Sequence, residues 1–416
     1  MTLHLVIDHT ARPARFGAAA AVAALRRGAR FMHLPALFDL AAHPDAEQYV
    51  HAAGGLGPSG LYFAERILGR PIAAAASVAE ILSAAHQADV VVPIHPSFGQ
   101  DSRLLREGAL QGGIPIDEEI AALEEAGAAP VQAWPTQPSR SICLVGREHD
   151  HRNVYPAALA SLQDAIAALD LAITIRFTDP RDSDAALYED AAGILLPGGS
   201  DMGNVPGQIR AARFALARGV PVLGLCLGMQ TMTTAFAQRV LGDGMVNLAE
   251  ADPEARTKSF VAMAAEMTAD GSAILPEHRT GDANVDLVPG TRLAALMGTQ
   301  TMRVRCNHRF HLAPSLRRDL QEAGLVVSAT SFAGRVVDAV EWPGHPFFLG
   351  LQGHPELAPA ASAPHPVFLA FLLATRDGTV RIGERRGLLG QRIDALKSNV
   401  RPRRSSPRRR QRIPEF

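Results

Sequence analysis

Apolar runs separated by amphipathic stretches pattern this chain from its start. Leu-His-Leu-Val-Ile-Asp (3–8) reads as a buried strand and the Ala-rich stretch 17–27 as a helix. Residues 78–87 read as a second helix, and Ala-Asp-Val-Val-Val-Pro-Ile (88–94) as a second strand. The stretch 117–128 (DEEIAALEEAGA) has helical spacing and opens with acids, which a helix dipole favours at that end, so it predicts a helix. Residues 1–128 are therefore expected to form a small α/β domain. Pro130, Pro135 and Pro138 then disfavour both helix and central strand, which marks 129–139 as a linker.

Beyond the linker the alternation becomes regular. Strands are expected at 141–146, 172–177, 192–196 and 220–226, and helices at 155–169, 206–218 and 227–238. Fully apolar strands alternating with amphipathic helices imply a mostly parallel sheet with helices on both faces, over residues 140–378. The run Arg147–Arg152 is expected to be a polar loop after a strand.

Charge changes this picture at the C-terminus. The whole chain has 416 residues and a formal net charge of -1. Residues 401–416 hold seven arginines and one glutamate, a local +6, which leaves about -7 for the rest. The tail 379–416 is expected to be largely disordered and Arg-rich, since Pro, Ser and Arg bury little apolar surface. No window approaches the ~20 uninterrupted apolar residues of a membrane span, so no membrane is expected. The N-terminus lacks the apolar core of a secretory signal. Three cysteines (Cys143, Cys226, Cys306) without metal-ligand spacing fit a reducing, cytoplasmic setting, and no metal site is expected.

Chemistry concentrates at Gly224-Leu225-Cys226-Leu227-Gly228, where an apolar strand meets a helix. Such a turn holds its central side chain in a strained strand-to-helix corner, with glycines relieving the crowding. A helix N-terminus favours the thiolate, and a thiolate attacks an amide carbonyl if a histidine supplies and returns protons. The pentapeptide alone is equally compatible with a buried strand-end cysteine. Cys143, inside an apolar strand, reads as core.

The rest of the chain shifts the balance. Leu196-Pro197-Gly198-Gly199, the cysteine turn continued through Met229-Gln230, Asn307-His308-Arg309-Phe310, His345-Pro346-Phe347-Phe348 and Gln352-Gly353-His354-Pro355-Glu356 follow one another in order. Residues 141–373 thereby resemble the class I (triad) glutamine amidotransferase domain, and within it most closely the glutaminase domain of CTP synthase. The resemblance implies Cys226 as nucleophile, His354 as general base and acid, and Glu356 as the residue orienting the imidazole. It implies an oxyanion hole from backbone N–H groups near Gly199 and Leu227. It also implies glutamine binding by Gly198, Gln230, Glu250, Arg309 and Phe310. A glutamate suits an α-ammonium, and an arginine an α-carboxylate. If extended, the His-Pro-Glu segment presents both side chains on one face.

This sequence departs from the family pattern in places. Ser200 stands where the family often has an aromatic, Phe310 replaces a tyrosine, and Gly353 precedes His354 where a bulky residue is usual. Residues 1–139 resemble no family. They contain no lysine, because Lys258 and Lys397 are the only two in the chain. A glycine-rich run, Gly54–Gly60, therefore reads as a flexible loop before a phosphate cradle. Asp8, His9 and His95 stand at strand ends, where open α/β sheets place ligands.

The expected function is glutamine hydrolysis with ammonia delivered to an acceptor, a uridine nucleotide or an analogue by resemblance. A γ-glutamyl hydrolase-type amidase and a non-catalytic regulatory protein are the alternatives. The glutaminase half is expected to need no cofactor. ATP and Mg²⁺ enter only with a synthetase activity or subunit. Partners expected are glutamine as substrate and a separate synthetase subunit or a homo-oligomer. Nucleic acid is not expected beyond weak binding by the Arg-rich tail.

Overall fold

The computed structural model describes residues 1–121, 140–182, 184–242, 244, 246–267, 273–358 and 363–376. The linker 129–139 and the tail from 379 lie outside the described residues, as does most of the stretch read as a helix at 117–128.

The strands at 3–7 and 90–94 and the helices at 18–27 and 78–85 fall where the pattern places them, and further elements lie between and after them. In chain order the elements are β1 (Leu3–Ile7), α1 (Ala18–Arg27), β2 (Arg30–Phe31), the hairpin β3 (Tyr49–Val50) and β4 (Leu56–Gly57), α2 (Leu61–Leu68), α3 (Val78–Ala85), β5 (Val90–Ile94), α4 (Gly99–Gln111) and β6 (Ile116–Ile120). A parallel sheet forms in the order β2-β5-β1-β6. Val90, Val91 and Val92 are wholly buried, as expected of a parallel strand covered on both faces. Helix α3 starts at a Ser77/Glu80 capping box.

β6 corrects the expected helix. Residues 116–120 run parallel to β1 as an edge strand, from Leu3↔Ile116 to Ile7↔Ile120. The acids that suggested a helix start are ion-pair partners instead. Arg26 and Arg27 bond Glu119, Arg27 and His4 bond Asp117, and Arg106 bonds Glu118. Charges of this kind also discourage pairing at an open sheet edge.

The larger sheet begins with β7 (Ser141–Val145), followed by α5 (Glu148–Asn153), α6 (Ala157–Ala168), β8 (Thr174–Thr178), β9 (Ala191–Leu196), α7 (Val205–Arg218), β10 (Val222–Leu225) and α8 (Leu227–Leu241). The short helix α5 replaces the loop expected at 147–152, held by the Arg147–Asp150 and Arg152–Glu148 pairs. Five short strands follow: β11 (Val246–Asn247), β12 (Thr257–Lys258), β13 (Phe260–Ala262), β14 (Glu266–Met267) and β15 (Ala273–Leu275). The chain then adds β16 (Arg279–Leu287), α9 (Arg292–Met297), β17 (Thr301–His308), β18 (Phe310–Leu312), α10 (Pro314–Glu322), β19 (Val326–Ser331), β20 (Val336–Glu341), β21 (Phe348–Leu351) and α11 (Pro366–Arg376).

Nine strands lie in the order β17-β16-β19-β20-β21-β10-β9-β7-β8. The half from β21 to β8 is parallel and the other half is antiparallel. β10 sits inside the parallel half, between β9 and β21, so its C-terminal end opens at the centre of the sheet edge. Cores cover both faces, one built around α6 and α11, the other around α7 and α8.

The N-terminal unit packs directly on this sheet. One apolar cluster joins Tyr49, Leu61 and Tyr62 to Tyr155, Ala157 and Leu357. Each fully buried large apolar side chain in it is worth about 1.5–3 kcal/mol. Beside it, the buried Glu65 carboxylate accepts two bonds from Arg305 of β17, at 2.6 and 2.5 Å, and one from the Tyr49 hydroxyl.

This packing also settles the glycine-rich run. Gly54 and Gly55 make the β3–β4 turn, and a Cβ on Gly281 would sit 2.7 Å from the Gly54 nitrogen. Ser59 Oγ donates to the carbonyls of Asp45 and Ala46. The run is neither a loose loop nor an open cradle but a close backbone approach between the two units.

Candidate active site

Cys226 follows β10 and caps α8 with φ 49° and ψ -107°. For a non-glycine residue this backbone is strained, a condition that persists only where the surroundings impose it. The surroundings are glycine on both sides. A Cβ on Gly224 would lie 2.5 Å from the Gly228 carbonyl oxygen, and one on Gly228 would lie 2.0 Å from the Leu196 oxygen. The corner can close only with both glycines in place, and it lifts the thiol to the C-terminal end of the sheet.

His354 reaches the same point from β21. Its backbone N–H donates to the Arg305 carbonyl at 2.7 Å, which locks it to β17. Gly353 permits that approach, since a Cβ there would meet Val304 Cγ2 at 2.6 Å. His354 Nδ1–H donates to Glu356 Oε1 at 2.7 Å, with both side chains buried. Glu356 lies in a short 3-10 turn, Pro355–Leu357, so the segment is not extended; the turn itself brings the carboxylate beneath the imidazole. Burial alone would suppress charge on His354, but Glu356 and the Cys226 sulfur outweigh it and hold its pKa well above the ordinary value. A Cβ placed on Gly198 would touch both His354 Cε1 (3.1 Å) and Cys226 Cβ (3.3 Å), so imidazole, thiol and the Gly198–Gly199 strand end converge on one spot.

The structure places the remaining expected residues as follows. Leu227 begins α8, where the first N–H groups have no intrahelical partner. Gln230, one turn on, is buried and its side-chain oxygen has no hydrogen-bond partner among the described residues. Glu250 and Arg309 face solvent. Shielding by surrounding protein raises the Glu250 carboxyl above its usual range, and the Arg309 charge pulls it back. Phe310 opens β18, where it pairs with Ala262.

Other candidates separate from the site. Cys143 is buried, hydrogen-bonded to Thr178 Oγ1, and its thiol is pushed up to about 11 by burial. Cys306 is likewise buried, and desolvation pushes it up to about 12. Neither is poised as a nucleophile. Asp8 accepts the backbone N–H groups of Thr10 and Gly17, and His95 bonds the Thr10 carbonyl and Ser97. Those two tie local loops together.

Four further residues reach the site: Gln352 belongs to the segment 352–356 already singled out, and the other three carried no signal in the sequence. Tyr155 donates its hydroxyl at 2.6 Å to Glu356 Oε1, the same oxygen that accepts from His354. Gln352 Nε2 lies 3.7 Å from Cys226 Sγ. Asp45 and Gln48 come from the N-terminal unit. Asp45 meets Ser200, and Gln48 meets Asn307, whose carbonyl oxygen is 3.6 Å from Cys226 Sγ. No short motif joins residues 155 or 45 to a centre some 70 to 300 positions later in the chain.

A strained cysteine at a sheet switch, beside a buried histidine held by a buried carboxylate, is the equipment of covalent amide hydrolysis. Residues 152–374 match the family model of class-I glutamine amidotransferases, and the chain belongs to that family. It is a glutamine-hydrolysing enzyme. Among similar proteins are CTP synthase of Chloroflexus aurantiacus, 36% identical over 253 residues, and CTP synthase of Thermus thermophilus, 34% identical over 242. These alignments cover 59% and 56% of this chain but only 45% and 44% of the relatives, so the chain spans less than half of their length. The glutaminase domain of Trypanosoma brucei CTPS with bound acivicin is similar in structure, at a TM-score of 0.52 and 26% identity. That match covers 59% of this chain and 98% of that one.

Proposed function

We propose that Cys226, His354 and Glu356 act as a triad that hydrolyses glutamine, and that the ammonia passes to an acceptor of the uridine nucleotide class or an analogue. The observation that supports the triad most directly is the Glu356–His354 bond aimed at a thiol in a strained corner. Cys226, as thiolate, attacks the side-chain amide carbon of glutamine. The developing oxyanion is held by the N–H groups of Gly199 and Leu227, donors fixed before the reaction begins. Protonated His354 gives its proton to the departing nitrogen, and ammonia leaves. Water, deprotonated by His354, then splits the glutamyl thioester into glutamate and free thiol. Glu356 stabilises the imidazolium throughout, and Tyr155 holds Glu356.

Glutamine is positioned by Gln230, Glu250 and Arg309, with Gly198 and Phe310 lining the approach. The unpartnered Gln230 oxygen is an acceptor for the substrate's ammonium, and Glu250 adds charge for the same group. Removing the charge of Glu250 or Arg309 should raise KM for glutamine by roughly 10- to 150-fold, the equivalent of about 1.5–3 kcal/mol for a lost charged hydrogen bond. kcat should change little, because these contacts persist from ground state to transition state. Steady-state kinetics of Arg309→Ala decide it: an unchanged KM with collapsed kcat rejects the α-carboxylate role.

The acceptor reading rests on similarity to CTP synthases, and the N-terminal residues give it a boundary. UTP and ATP bring six phosphates, which call for Mg²⁺, backbone nests and several cations. Residues 1–121 offer no lysine, and their glycine run is taken up in packing. We therefore expect the acceptor to be a smaller or already activated molecule, or to sit on a separate synthetase subunit or a second copy of the chain. An assay with UTP, ATP, Mg²⁺ and ammonium chloride bypasses the glutaminase and should yield no CTP above an enzyme-free blank. CTP formation would reveal a compact synthetase in the N-terminal unit.

A further inference from the structure

We infer that Asp45, contributed by the N-terminal unit, is a positioning residue of the glutaminase reaction, fixing the Gly199–Ser200 backbone that carries an oxyanion-hole N–H. The inference rests on the glutaminase reading of the site and adds to it a residue from outside the amidotransferase segment.

Two consecutive glycines at 198 and 199 leave the strand end after β9 with no side chains to anchor it, and glycine peptides rotate freely. An oxyanion donor is effective only if its direction is set in advance. Asp45 supplies the missing anchor. Its Oδ1 accepts the Ser200 backbone N–H at 2.8 Å and the Ser200 hydroxyl at 2.9 Å, and the same hydroxyl lies 3.3 Å from the Pro44 carbonyl. The Ser200 N–H lies in the peptide that follows Gly199, so holding it fixes one side of Gly199 and restricts the rotation of the preceding peptide, which carries the Gly199 N–H. The fit is close: a Cβ on Gly199 would come within 3.3 Å of Asp45 Oδ2, a contact its flexible neighbours would have to yield to.

Asp45 is itself held on several sides. Gln48 Nε2 donates to its Oδ1 at 3.3 Å, and Gln48 Oε1 accepts from Asn307 Nδ2 at 3.4 Å. Ser59 Oγ donates to the Asp45 carbonyl at 2.9 Å. A short segment of the N-terminal unit thus spans the site, from the oxyanion strand on one side to the residue facing the thiol on the other. Ser200, where the family often has an aromatic, is the hydroxyl that lets this contact form twice.

The test compares full-length Asp45→Ala and Asp45→Asn with the unaltered protein, using glutamate release, thermal unfolding and alkylation of Cys226 by iodoacetamide. Alkylation needs the thiol but no oxyanion hole. Asp45→Ala should lose about 10- to 100-fold in kcat, less than the roughly 10²- to 10³-fold cost of removing an oxyanion donor outright. KM should stay within about threefold, and the alkylation rate and unfolding temperature should be close to the unaltered values. Asp45→Asn keeps an oxygen that accepts both Ser200 bonds and should recover most of the loss. Unchanged kcat in Asp45→Ala overturns the proposal, as does a loss matched by slower alkylation and a lower unfolding temperature, or no recovery with asparagine. An unaltered protein that releases no glutamate overturns the reading of the whole site, a result distinct from all of these.

Discussion

Cys226→Ala is expected to lower glutamine turnover by about 10⁴- to 10⁶-fold, the scale seen when the nucleophile of a triad is removed. What remains comes from the oxyanion hole and substrate binding alone. The substitution is small: alanine occupies the same strained backbone, and the two flanking glycines that permit it are untouched. The fold should therefore survive, and circular dichroism and thermal unfolding will separate lost chemistry from lost structure. His354→Ala should cost nearly as much. Glu356→Gln should cost less, since a glutamine oxygen still accepts the His354 Nδ1–H and only the charge is lost. Glutamate release by purified Cys226→Ala at the unaltered rate would remove the nucleophile assignment.

The centre was legible in the sequence because it depends on local constraints. Two glycines with three residues between them and a strand-to-helix change mark a corner that few backbones make, and Cys226 sits at its middle. The His-Pro-Glu spacing was legible too, although the pairing is made by a turn and not by an extended segment. Apolar alternation likewise placed four of the five strands of the parallel half; the strand Phe348–Leu351 was left unassigned. The antiparallel half is built from partly polar strands such as Arg279–Leu287 and Thr301–His308, whose pattern the sequence reading left unassigned.

Two failures share one physical cause. The acids of 116–120 read as a helix start, and residues 147–152 read as a loop, because charged side chains carry weak local preferences. Their structure is decided by partners elsewhere: Arg26, Arg27 and Arg106 for the first, and pairs within α5 for the second. The same holds for Tyr155, Asp45 and Gln48. Each acts through contacts that tertiary packing makes with distant segments, and such contacts leave no period or motif behind.

Besides Asp45 and Gln48, the N-terminal unit reaches the frame of the catalytic centre through a buried ion pair with a large expected effect. Glu65 is 1% exposed and the Arg305 side chain 7%. Desolvation disfavours charge on Arg305, yet its bonds to Glu65 and Tyr49 raise its pKa above the usual value, so it stays charged. Glu65→Gln would leave that guanidinium buried without its full countercharge, a change that costs about 3–5 kcal/mol. Asp282 lies 3.5 Å from Arg305 Nε and should hold the loss toward the lower end of that range. The consequence reaches the chemistry, because the Arg305 carbonyl anchors the His354 backbone. Urea unfolding at neutral pH should show the destabilisation, and glutamate release should show reduced kcat even where the protein is folded. Replacing both partners with apolar residues of similar volume should restore much of the stability, as removing a buried pair together costs far less than orphaning one member. A loss below about 1 kcal/mol in Glu65→Gln would mean that water reaches Arg305. The N-terminal unit would then sit on the glutaminase as a loosely held neighbour and not as part of its frame.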